Sequence, residues 1–383
     1  MPTYDVAIIG GGIIGASISL ELAADNLRVV VLDRQEPGRE ASWAAAGMLS
    51  PAPDSPRDIP LASFACRSLE LYPQFVAAIE EVSAKRTGYT REGALEIFTS
   101  AGAENERDGR LRQLRQLGIA AEATSPSDAR ELAGAVGLAA RSALWLPEEG
   151  TVEPRLLMDA LLTAARNRGV EFRAGCEVTG LFQAGDRCSG VIVADENIAA
   201  GHVILAAGCF SGKFVGQTPT KALAPVRPVR GQMLAVRPAA GAPRLRRVLR
   251  SNRGYLVPRQ DGRIVAGSTN EDAGFDKQVT AAGLAKILGA TLEICPMLGS
   301  AELIETWAGL RPGTPDDLPI LGATETRGLW IATGHYRNGI LLAPATARLF
   351  REIISGAEPS FYVERFSPLR FATTEMRAAR TAV

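Results

Sequence analysis

Apolar positions near the start of the chain follow the order strand, helix, strand. Tyr4–Ile9 is a short apolar run, an apolar helical segment extends to about Ala24, and Val29–Leu32 is a second apolar run. A G-x-G-x-x-G turn at positions 10–15 joins the first run to the helix, and Asp33 follows the second run. This order and spacing predict a βαβ unit that binds an adenine dinucleotide.

Each glycine of the turn has a predicted task. Gly10 lets the chain leave the strand sharply, Gly12 lets the backbone approach a pyrophosphate, and Gly15 lets the helix pack close to the sheet. The amides of Ile13 and Ile14 lie in the first helical turn, where unpaired N–H groups and a partial positive charge attract phosphate. We therefore expect these residues to contact the cofactor.

The acid after the second strand indicates which dinucleotide the site accepts. Asp33 can accept hydrogen bonds from both hydroxyls of the adenosine ribose, and its charge would repel the 2′-phosphate of NADP. Arg34, its neighbour, is also predicted to contact the cofactor. The motif does not separate FAD from NAD, although an NAD-linked enzyme needs a second nucleotide site and the chain has no second G-x-G-x-x-G.

The rest of the chain predicts an α/β protein (α+β overall), in which a Rossmann-like dinucleotide domain carries an inserted, mostly antiparallel substrate domain. Helices are predicted at 63–83, 107–117, 152–167, 281–288 and 341–354, and strands at 92–99, 143–147, 170–172, 190–193, 202–206, 232–236, 254–258, 263–267 and 329–333. The predicted dinucleotide domain is 1–85, 150–222 and 306–366, the substrate domain is 86–149 and 223–305, and 367–383 is a basic tail.

An unusual run of small residues follows the βαβ unit. Ala41, Ser42, Ala46, Gly47 and Met48 belong to it. It can be the start of an alanine-rich helix, or backbone laid against a flat ligand with the serine hydroxyl available to a phosphate. The second interpretation is favoured, because glycine is costly inside a helix.

Three further segments permit close contact with a ligand. Ala207 and Gly208 end the strand at 202–206, and Val178 follows the strand at 170–172 about where an adenine edge would lie. A glycine-rich turn at 334–340 connects a predicted strand to a predicted helix, so it forms a second anion or ring-edge site on the same sheet.

Composition narrows the function classes. The formal net charge of +0 argues against a nucleic-acid binder, and no apolar run reaches the ~18 residues of a membrane span. The chain enters the cofactor strand so early that we expect no cleaved signal peptide. The odd number of cysteines, without C-x-x-C, fits a reduced, cytoplasmic setting, and two histidines make a histidine metal site improbable.

Three motifs, taken together with the glycine turn, carry a family resemblance. They are Ser-Trp-Ala-Ala-Ala-Gly-Met at 42–48, Trp-Ala-Gly-Leu-Arg-Pro at 307–312, and Gly-His-Tyr-Arg-Asn-Gly-Ile-Leu-Leu at 334–342. In this order they resemble the glycine oxidases of thiamine biosynthesis, which belong to the D-amino-acid oxidase family of FAD enzymes. The resemblance covers the chain from about Tyr4 to about Phe366.

The resemblance implies a reaction and a cofactor. FAD would be bound without a covalent link, since relatives that attach it use a late cysteine and this chain has none after Cys295. Glycine, sarcosine or a small D-amino acid would lose a hydride to flavin N5 and become an imine, and oxygen would become hydrogen peroxide. The imine would serve thiazole assembly or hydrolyse to glyoxylate and ammonia. A homo-oligomer, of four chains by the same resemblance, is also implied.

The resemblance also assigns residues to the substrate. Arg311 would bind the substrate carboxylate with its guanidinium fork, the alternative being a structural ion pair with Asp316 or Asp317. Tyr255 would hydrogen-bond the same carboxylate, the alternative being a packed strand tyrosine. The two would hold the substrate α-carbon near the flavin.

The last motif is expected to surround the isoalloxazine ring. The backbone carbonyl of Arg337 would accept a hydrogen bond from the substrate amine, the alternative being a solvent-exposed loop arginine. No side-chain acid or base is assigned, because a neutral amine can lose a hydride directly to the flavin. The ring contacts would come from His335, Arg337, Asn338, Gly339, Ile340 and Leu341.

Two departures from the family pattern leave the substrate open. Arg253 stands where relatives can carry histidine, and Asn270 where a methionine can line the pocket; both would make the site more polar. Two other functions also stay open: an FAD dehydrogenase that passes electrons to a quinone or carrier instead of oxygen, and a non-catalytic FAD subunit.

Overall fold

Two large β-sheets carry the chain, and helices cover one face of each. The computed structural model describes residues 4–134, 138–194, 196–214, 226–361 and 363–371. The strands are β1 (Tyr4–Ile9), β2 (Val29–Leu32), β3 (Met48–Leu49), β4 (Ala94–Phe98), β5 (Glu122–Thr124), β6 (Ser142–Leu146), β7 (Gly150–Thr151), β8 (Glu171–Arg173), β9 (Val178–Ala184), β10 (Arg187–Val193), β11 (Glu196–Leu205), β12 (Arg227–Arg237), β13 (Val248–Arg250), β14 (Tyr255–Pro258), β15 (Ile264–Gly267), β16 (Glu302–Gly313), β17 (Ile320–Ala323) and β18 (Leu329–Thr333). The helices are α1 (Ile13–Ala24), α2 (Ala41–Ala44), α3 (Ala62–Ser83), α4 (Ala103–Gln116), α5 (Pro126–Ala133), α6 (Pro154–Asn167), α7 (Ala281–Ile294) and α8 (Gly339–Ser355).

The first sheet has the order β17-β18-β11-β1-β2-β8, and its central strands are parallel. Alternate residues of β1 enter different cores. Val6 and Ile8 pack with the helices α1, α3, α6 and α8, whereas Ala7 and Ile9 pack under an antiparallel meander of β9, β10 and β11. Because both faces are covered, the strand is a continuous apolar run. The predicted βαβ unit and Rossmann-like sheet are confirmed.

The second sheet has the order β16-β12-β15-β14-β13-β4-β6-β5. Its neighbours are antiparallel except for β13 and β4, which run parallel. Leu234 and Val236 face a core that includes Ile287 of α7, whereas Met233 and Ala235 face the first sheet's side of the molecule. The predicted mostly antiparallel sheet is confirmed.

One predicted domain boundary differs from the structure. The boundary at 305/306 falls inside β16, which pairs with β12 of the second sheet from Glu302 to Gly313. The chain therefore crosses back to the first sheet after Gly313. The predicted boundary at 222/223 and the tail from 372 onward lie outside the described residues.

Among the residues that the structure describes, no helix is both long enough and apolar enough to cross a membrane.

Candidate functional site

A cavity of about 1220 Å³ lies between the two sheets. It is larger than the ~300–1,000 Å³ of most small-molecule pockets, so it has room for a dinucleotide together with a small substrate. Most of the predicted site residues line it: Gly10, Gly12, Ile13, Ile14, Asp33, Arg34, Ala41, Ser42, Ala46, Gly47, Met48, Val178, Ala207, Gly208, Tyr255, Arg311, His335, Arg337, Asn338, Gly339 and Ile340.

Two predicted contact residues do not line the cavity. A Cβ on Gly15 would lie 2.0 Å from the carbonyl oxygen of Gly10, so this glycine lets α1 pack against β1. Leu341 is 1% exposed and lies in the core between the first sheet and its helices, where its carbonyl accepts a hydrogen bond from Ser68 Oγ at 2.6 Å. Both residues pack in the core behind the cavity-lining residues and do not face the cavity.

The first turn of α1 and the small-residue segment meet at one hydrogen bond. The amide of Ile13 donates to Ser42 Oγ at 2.9 Å, and a Cβ on Gly12 would lie 3.2 Å from the same oxygen. A hydroxyl offers one donor and two acceptor positions, so the serine still has its proton to donate. This proton is the group available to a phosphate beside the turn.

Asp33 is held in place by the backbone. Its carboxylate accepts hydrogen bonds from the amides of Gly11 at 2.8 Å and Gln35 at 3.1 Å. Burial raises the pKa of this carboxyl group. A carboxylate has about four acceptor positions, so acceptor positions remain for the two ribose hydroxyls.

Phe210 is a cavity residue that the sequence analysis missed. The guanidinium of Arg34 lies 3.6 Å from the centre of its ring and pairs with Glu40 at 2.8 Å. A second aromatic ring, Phe275, stacks on Phe210 with the ring centres 5.0 Å apart. Phe210 lies two residues after Gly208, beside a strand end that permits ligand approach, and this position could have identified it as a cavity residue from the sequence.

The small-residue segment at 41–48 begins as a helix and continues as extended backbone along the cavity, so each of the two interpretations of its sequence describes part of it. α2 is a helix of one turn, and the chain then continues as extended backbone through Ala45. Gly47 has φ +75°, and a Cβ there would lie 2.2 Å from the carbonyl oxygen of Val152. The residues Ala44 to Met48 line the cavity, as the flat-ligand interpretation requires.

Arg311 lies on β16, and its guanidinium donates only some of its possible hydrogen bonds to the described part of the protein. Its Nη1 donates to the carbonyl of Thr269 at 3.1 Å and its Nη2 to Ser268 Oγ at 2.7 Å. A Cβ on Gly231 would lie 2.3 Å from its Nη atoms, so glycine makes the space that the group occupies. A guanidinium has five N–H donors, so three remain.

The alternative assignment of Arg311 as a structural ion pair is wrong. Asp316 pairs with Arg370 at 2.9 Å, and Asp317 pairs with Arg57 at 3.5 Å. Within the described ranges no carboxylate pairs with Arg311. A half-buried cation without an acid is an arrangement that favours an anionic ligand.

Tyr255 faces the cavity from β14. Its hydroxyl donates to Met233 Sδ at 3.2 Å, and a thioether is a weak acceptor. Both residues pair across the sheet with Gly267, whose missing side chain leaves space for them. Met233, which the sequence analysis missed, lines the cavity, as does Met48.

The two residues that depart from the family pattern, Asn270 and Arg253, differ in whether they line the cavity. Asn270 is exposed and does not line the cavity; its Oδ1 accepts a hydrogen bond from Tyr336 at 3.0 Å, so the predicted polar change at this position is wrong. Arg253 does line the cavity, where it pairs with Glu293 at 3.3 Å. Of these two residues, Arg253 therefore lines the cavity and Asn270 does not, and the charge of Arg253 is paired with Glu293.

The loop before α8 is fixed by ion pairs. Arg337 Nη1 lies 3.3 Å from Asp54 and its Nη2 lies 3.5 Å from Asp58. Arg337 is exposed, as its alternative assignment as a solvent-exposed loop arginine requires, but its guanidinium is paired with two acids. Burial lowers the pKa of His335 to about 3, and its Nε2 shares a hydrogen bond of 3.1 Å with Thr346 Oγ1. The imidazole is therefore neutral at neutral pH.

A buried ion network, which the sequence analysis did not find, lies beside Tyr255. Arg250, the cross-strand partner of Tyr255, lies 3.0 Å from Glu96 and 3.1 Å from Glu149. Burial opposes its charge, but Glu149 and Glu96 raise its pKa. Ser50 Oγ donates to Glu149 at 2.6 Å. These groups come from four separate parts of the chain, so sequence patterns could not bring them together.

The turn, the acid and the strand ends fit a dinucleotide. A Cβ on Gly10, at φ +105°, would lie 2.6 Å from the carbonyl of Ala206, so only glycine permits this crossing of the strand ends. Beside it, a Cβ on Gly208 would meet no protein atom within 4 Å, which leaves open space along the cavity wall. Asp33 and Ser42 present their remaining hydrogen-bonding capacity to the same space.

Comparisons with known proteins agree with this geometry. A family model described as FAD dependent oxidoreductase matches residues 5–353. Glycine oxidase of Pseudomonas putida is 36% identical over 374 residues, which cover 95% of this chain and 98% of that protein. The crystal structure of glycine oxidase from Geobacillus kaustophilus superimposes with a TM-score of 0.88 at 31% identity, and covers 95% of this chain and 98% of that one.

A longer relative matches over part of its length. The bifunctional protein ThiO/ThiG of Trichormus variabilis is 36% identical over 378 residues, which cover 96% of this chain but 55% of that protein. The chain thus spans about half the length of the bifunctional relatives it matches. The match of the family model over nearly the whole chain nevertheless shows that the chain belongs to the FAD-dependent oxidoreductase family, whose cofactor is FAD.

Proposed function

We propose that this enzyme oxidises a small amino acid, glycine in the first place, to its imine, and that oxygen is reduced to hydrogen peroxide. The observation that carries the proposal is the guanidinium of Arg311. It lines the cavity, keeps three unused N–H donors, and has no acid paired with it in the described parts of the chain. A substrate carboxylate supplies the missing anion.

Tyr255 supports the same carboxylate. The Tyr255 hydroxyl donates its hydrogen bond to Met233 Sδ, which is a weak acceptor. Exchange of a thioether for a carboxylate oxygen strengthens the hydrogen bond, since charge-assisted bonds are about twice as strong as neutral ones. Arg311 and Tyr255 together orient the substrate's α-carbon.

The chain's own groups position the amine and leave the chemistry to the cofactor. FAD, when bound, supplies the two-electron oxidation. The carbonyl of Arg337 accepts a hydrogen bond from the amine, and the ion pairs of its side chain with Asp54 and Asp58 keep the loop in place. His335 is neutral and engaged with Thr346, which supports a mechanism without a side-chain base.

The predicted substrates share a carboxylate and a small amine. Glycine, sarcosine and small D-amino acids would lie beside Tyr255 and Met233, and the ion pair of Arg253 with Glu293 makes this part of the wall polar. The imine either hydrolyses to glyoxylate and ammonia or serves thiazole assembly. Fusion of a similar chain to a second activity in ThiO/ThiG proteins supports the second fate. A cytoplasmic location and a homo-oligomer, four chains by resemblance, complete the proposal.

The test is an anaerobic titration of the flavin-loaded protein with glycine, followed by air. Bleaching of the flavin absorbance and recovery with one peroxide per turnover are expected. Bleaching without recovery in air would instead support the dehydrogenase that uses a quinone or carrier. Absence of bleaching with glycine, sarcosine, D-alanine and D-proline would contradict the proposal, and would leave the non-catalytic FAD subunit.

A further inference from the structure

The small-residue segment is held from the side away from the cavity. Trp307 Nε1 donates to the carbonyl of Ala44 at 3.0 Å, and Arg259 Nη2 donates to the carbonyl of Ala46 at 2.7 Å. Arg259 Nη1 also donates to the carbonyl of Val152 at 3.0 Å. Arg259 does not line the main cavity, whereas Ala46 and Gly47 do. The carbonyl of Ala46 therefore points away from the cavity.

The direction of that carbonyl fixes the direction of the next amide. In a trans peptide the C=O and N–H bonds point in opposite directions. Since the Ala46 carbonyl points to Arg259, the Gly47 N–H points into the cavity. Within the described part of the chain this amide donates to no other group, although the Gly47 carbonyl accepts from Val152. A buried amide without a partner is rare, and a ligand at this wall would supply the acceptor.

Arg259 itself is an unusual residue. It is 8% exposed, and Glu153 lies 2.8 Å from its Nε. Burial opposes its charge and lowers its pKa. Its position in the hairpin between β14 and β15 places it four residues after Tyr255. One side chain thus connects the strand that carries the substrate tyrosine to the segment that lines the cofactor cavity.

We propose that Arg259 is a positioning residue for the flavin. By holding the Ala46 carbonyl, it aims the Gly47 N–H at a carbonyl oxygen of the isoalloxazine ring. The carbonyl oxygens of this ring remain hydrogen-bond acceptors and gain electron density when the flavin is reduced, so a fixed donor stabilises reduced FAD more than oxidised FAD. Arg259 thereby raises the reduction potential of the bound cofactor.

The test measures the potential of the flavin-loaded protein by equilibration with a reference dye, without any amino-acid substrate. Its outcome is therefore independent of the proposed substrate. Arg259→Met removes all donors and keeps an unbranched side chain. We expect the equilibrium for flavin reduction to fall at least tenfold, about 30 mV for a two-electron couple. The affinity of the apoprotein for oxidised FAD, measured by fluorescence quenching, should change by a smaller factor.

Arg246→Gln is the matched control. Arg246 is an exposed arginine of the cleft that Arg259 also lines, and its loss should leave the potential unchanged. Arg259→Lys keeps the charge but not the fork that bridges Ala46 and Val152, so an intermediate potential is expected. Equal potentials for Arg259→Met and Arg246→Gln would overturn the proposal, as would equal loss of affinity for oxidised and reduced FAD. If Arg259→Met does not fold, a wild-type potential in Arg259→Lys overturns it.

Discussion

Replacement of Arg311 by methionine is the most direct test of the substrate site. The guanidinium keeps its two bonds to Thr269 and Ser268 and has three donors left. A carboxylate bound by two of these donors gains two charge-assisted hydrogen bonds, each worth about 1.5–3 kcal/mol. The sum of about 3–6 kcal/mol corresponds to a loss of roughly 10²- to 10⁴-fold in kcat/KM.

The assay is the rate of anaerobic flavin bleaching against glycine concentration. Arg311→Met should raise KM and leave FAD bound, and Arg311→Lys should recover part of the loss, because an ammonium binds the carboxylate without a bidentate fork. Arg227→Gln, at an exposed arginine of the neighbouring strand β12, should behave as wild type. A decrease below tenfold in Arg311→Met with FAD in place would refute the carboxylate assignment.

Three further changes test the cofactor site and its supports. Asp33→Asn removes the charge that receives the ribose, and FAD affinity measured by fluorescence titration should fall about 10- to 100-fold. His335 has a folded pKa of about 3, below its unfolded value of about 6.5, so the unfolded form binds the extra proton and stability is lost as pH falls below about 6.5. Between pH 7 and 5.5 this loss amounts to about 1.3 kcal/mol, which His335→Asn should remove in urea titrations at the two pH values. Gly15→Ala should lower the melting temperature of the protein, because the new Cβ would lie 2.0 Å from the Gly10 carbonyl oxygen. The control is Gly289→Ala, on the exposed face of α7, where a Cβ meets no atom within 4 Å. This change should raise the free energy of unfolding by about 1 kcal/mol.

The part of the cofactor site formed by the first fifty residues was predictable because its groups are close in sequence. The turn at 10–15, Asp33 and the segment at 41–48 lie within the first fifty residues, and strand, turn and helix order them locally. The assignments of Arg311 and Tyr255 came from the family motif and a neighbouring pattern. The contacts of buried charged residues were not predictable, because the sequence does not show which arginines are buried. Nothing in the sequence around the buried Arg259 distinguishes it from the exposed Arg246.

Elements with weak patterns were missed for a related reason. β13 has three residues and ends in Arg250, so it has no apolar alternation to read. Arg250 is buried together with its two apolar neighbours because Glu96 and Glu149, from distant parts of the chain, neutralise its charge. A charged residue inside a strand argues against burial until its partners are known, and the partners are set by the tertiary fold.

The register of the second sheet explains why Tyr255 and Arg311, the residues proposed to bind the substrate, lie on one wall of the cavity. Residues directly opposite each other in neighbouring strands share a face. The pairs Trp307–Met233, Met233–Gly267, Gly267–Tyr255, Tyr255–Arg250 and Arg250–Glu96 form one continuous row across five strand pairings. Arg311 lies four residues after Trp307 on β16, so it has the same face. A slip of one residue would turn the whole row away from the cavity.

Glycines on this face provide the space for the larger groups. A Cβ on Gly231 would overlap the Arg311 guanidinium, one on Gly267 would lie 2.7 Å from the Tyr255 hydroxyl, and one on Gly309 would lie 2.5 Å from Ala44 Cβ. The first two glycines make room for Arg311 and Tyr255, the groups proposed to bind the substrate carboxylate, and the third lets the small-residue segment lie on the sheet. The shape of the cavity wall is therefore set by missing side chains as much as by those present. For this reason the alternation of small and large residues along β12, β15 and β16 is part of the active-site design.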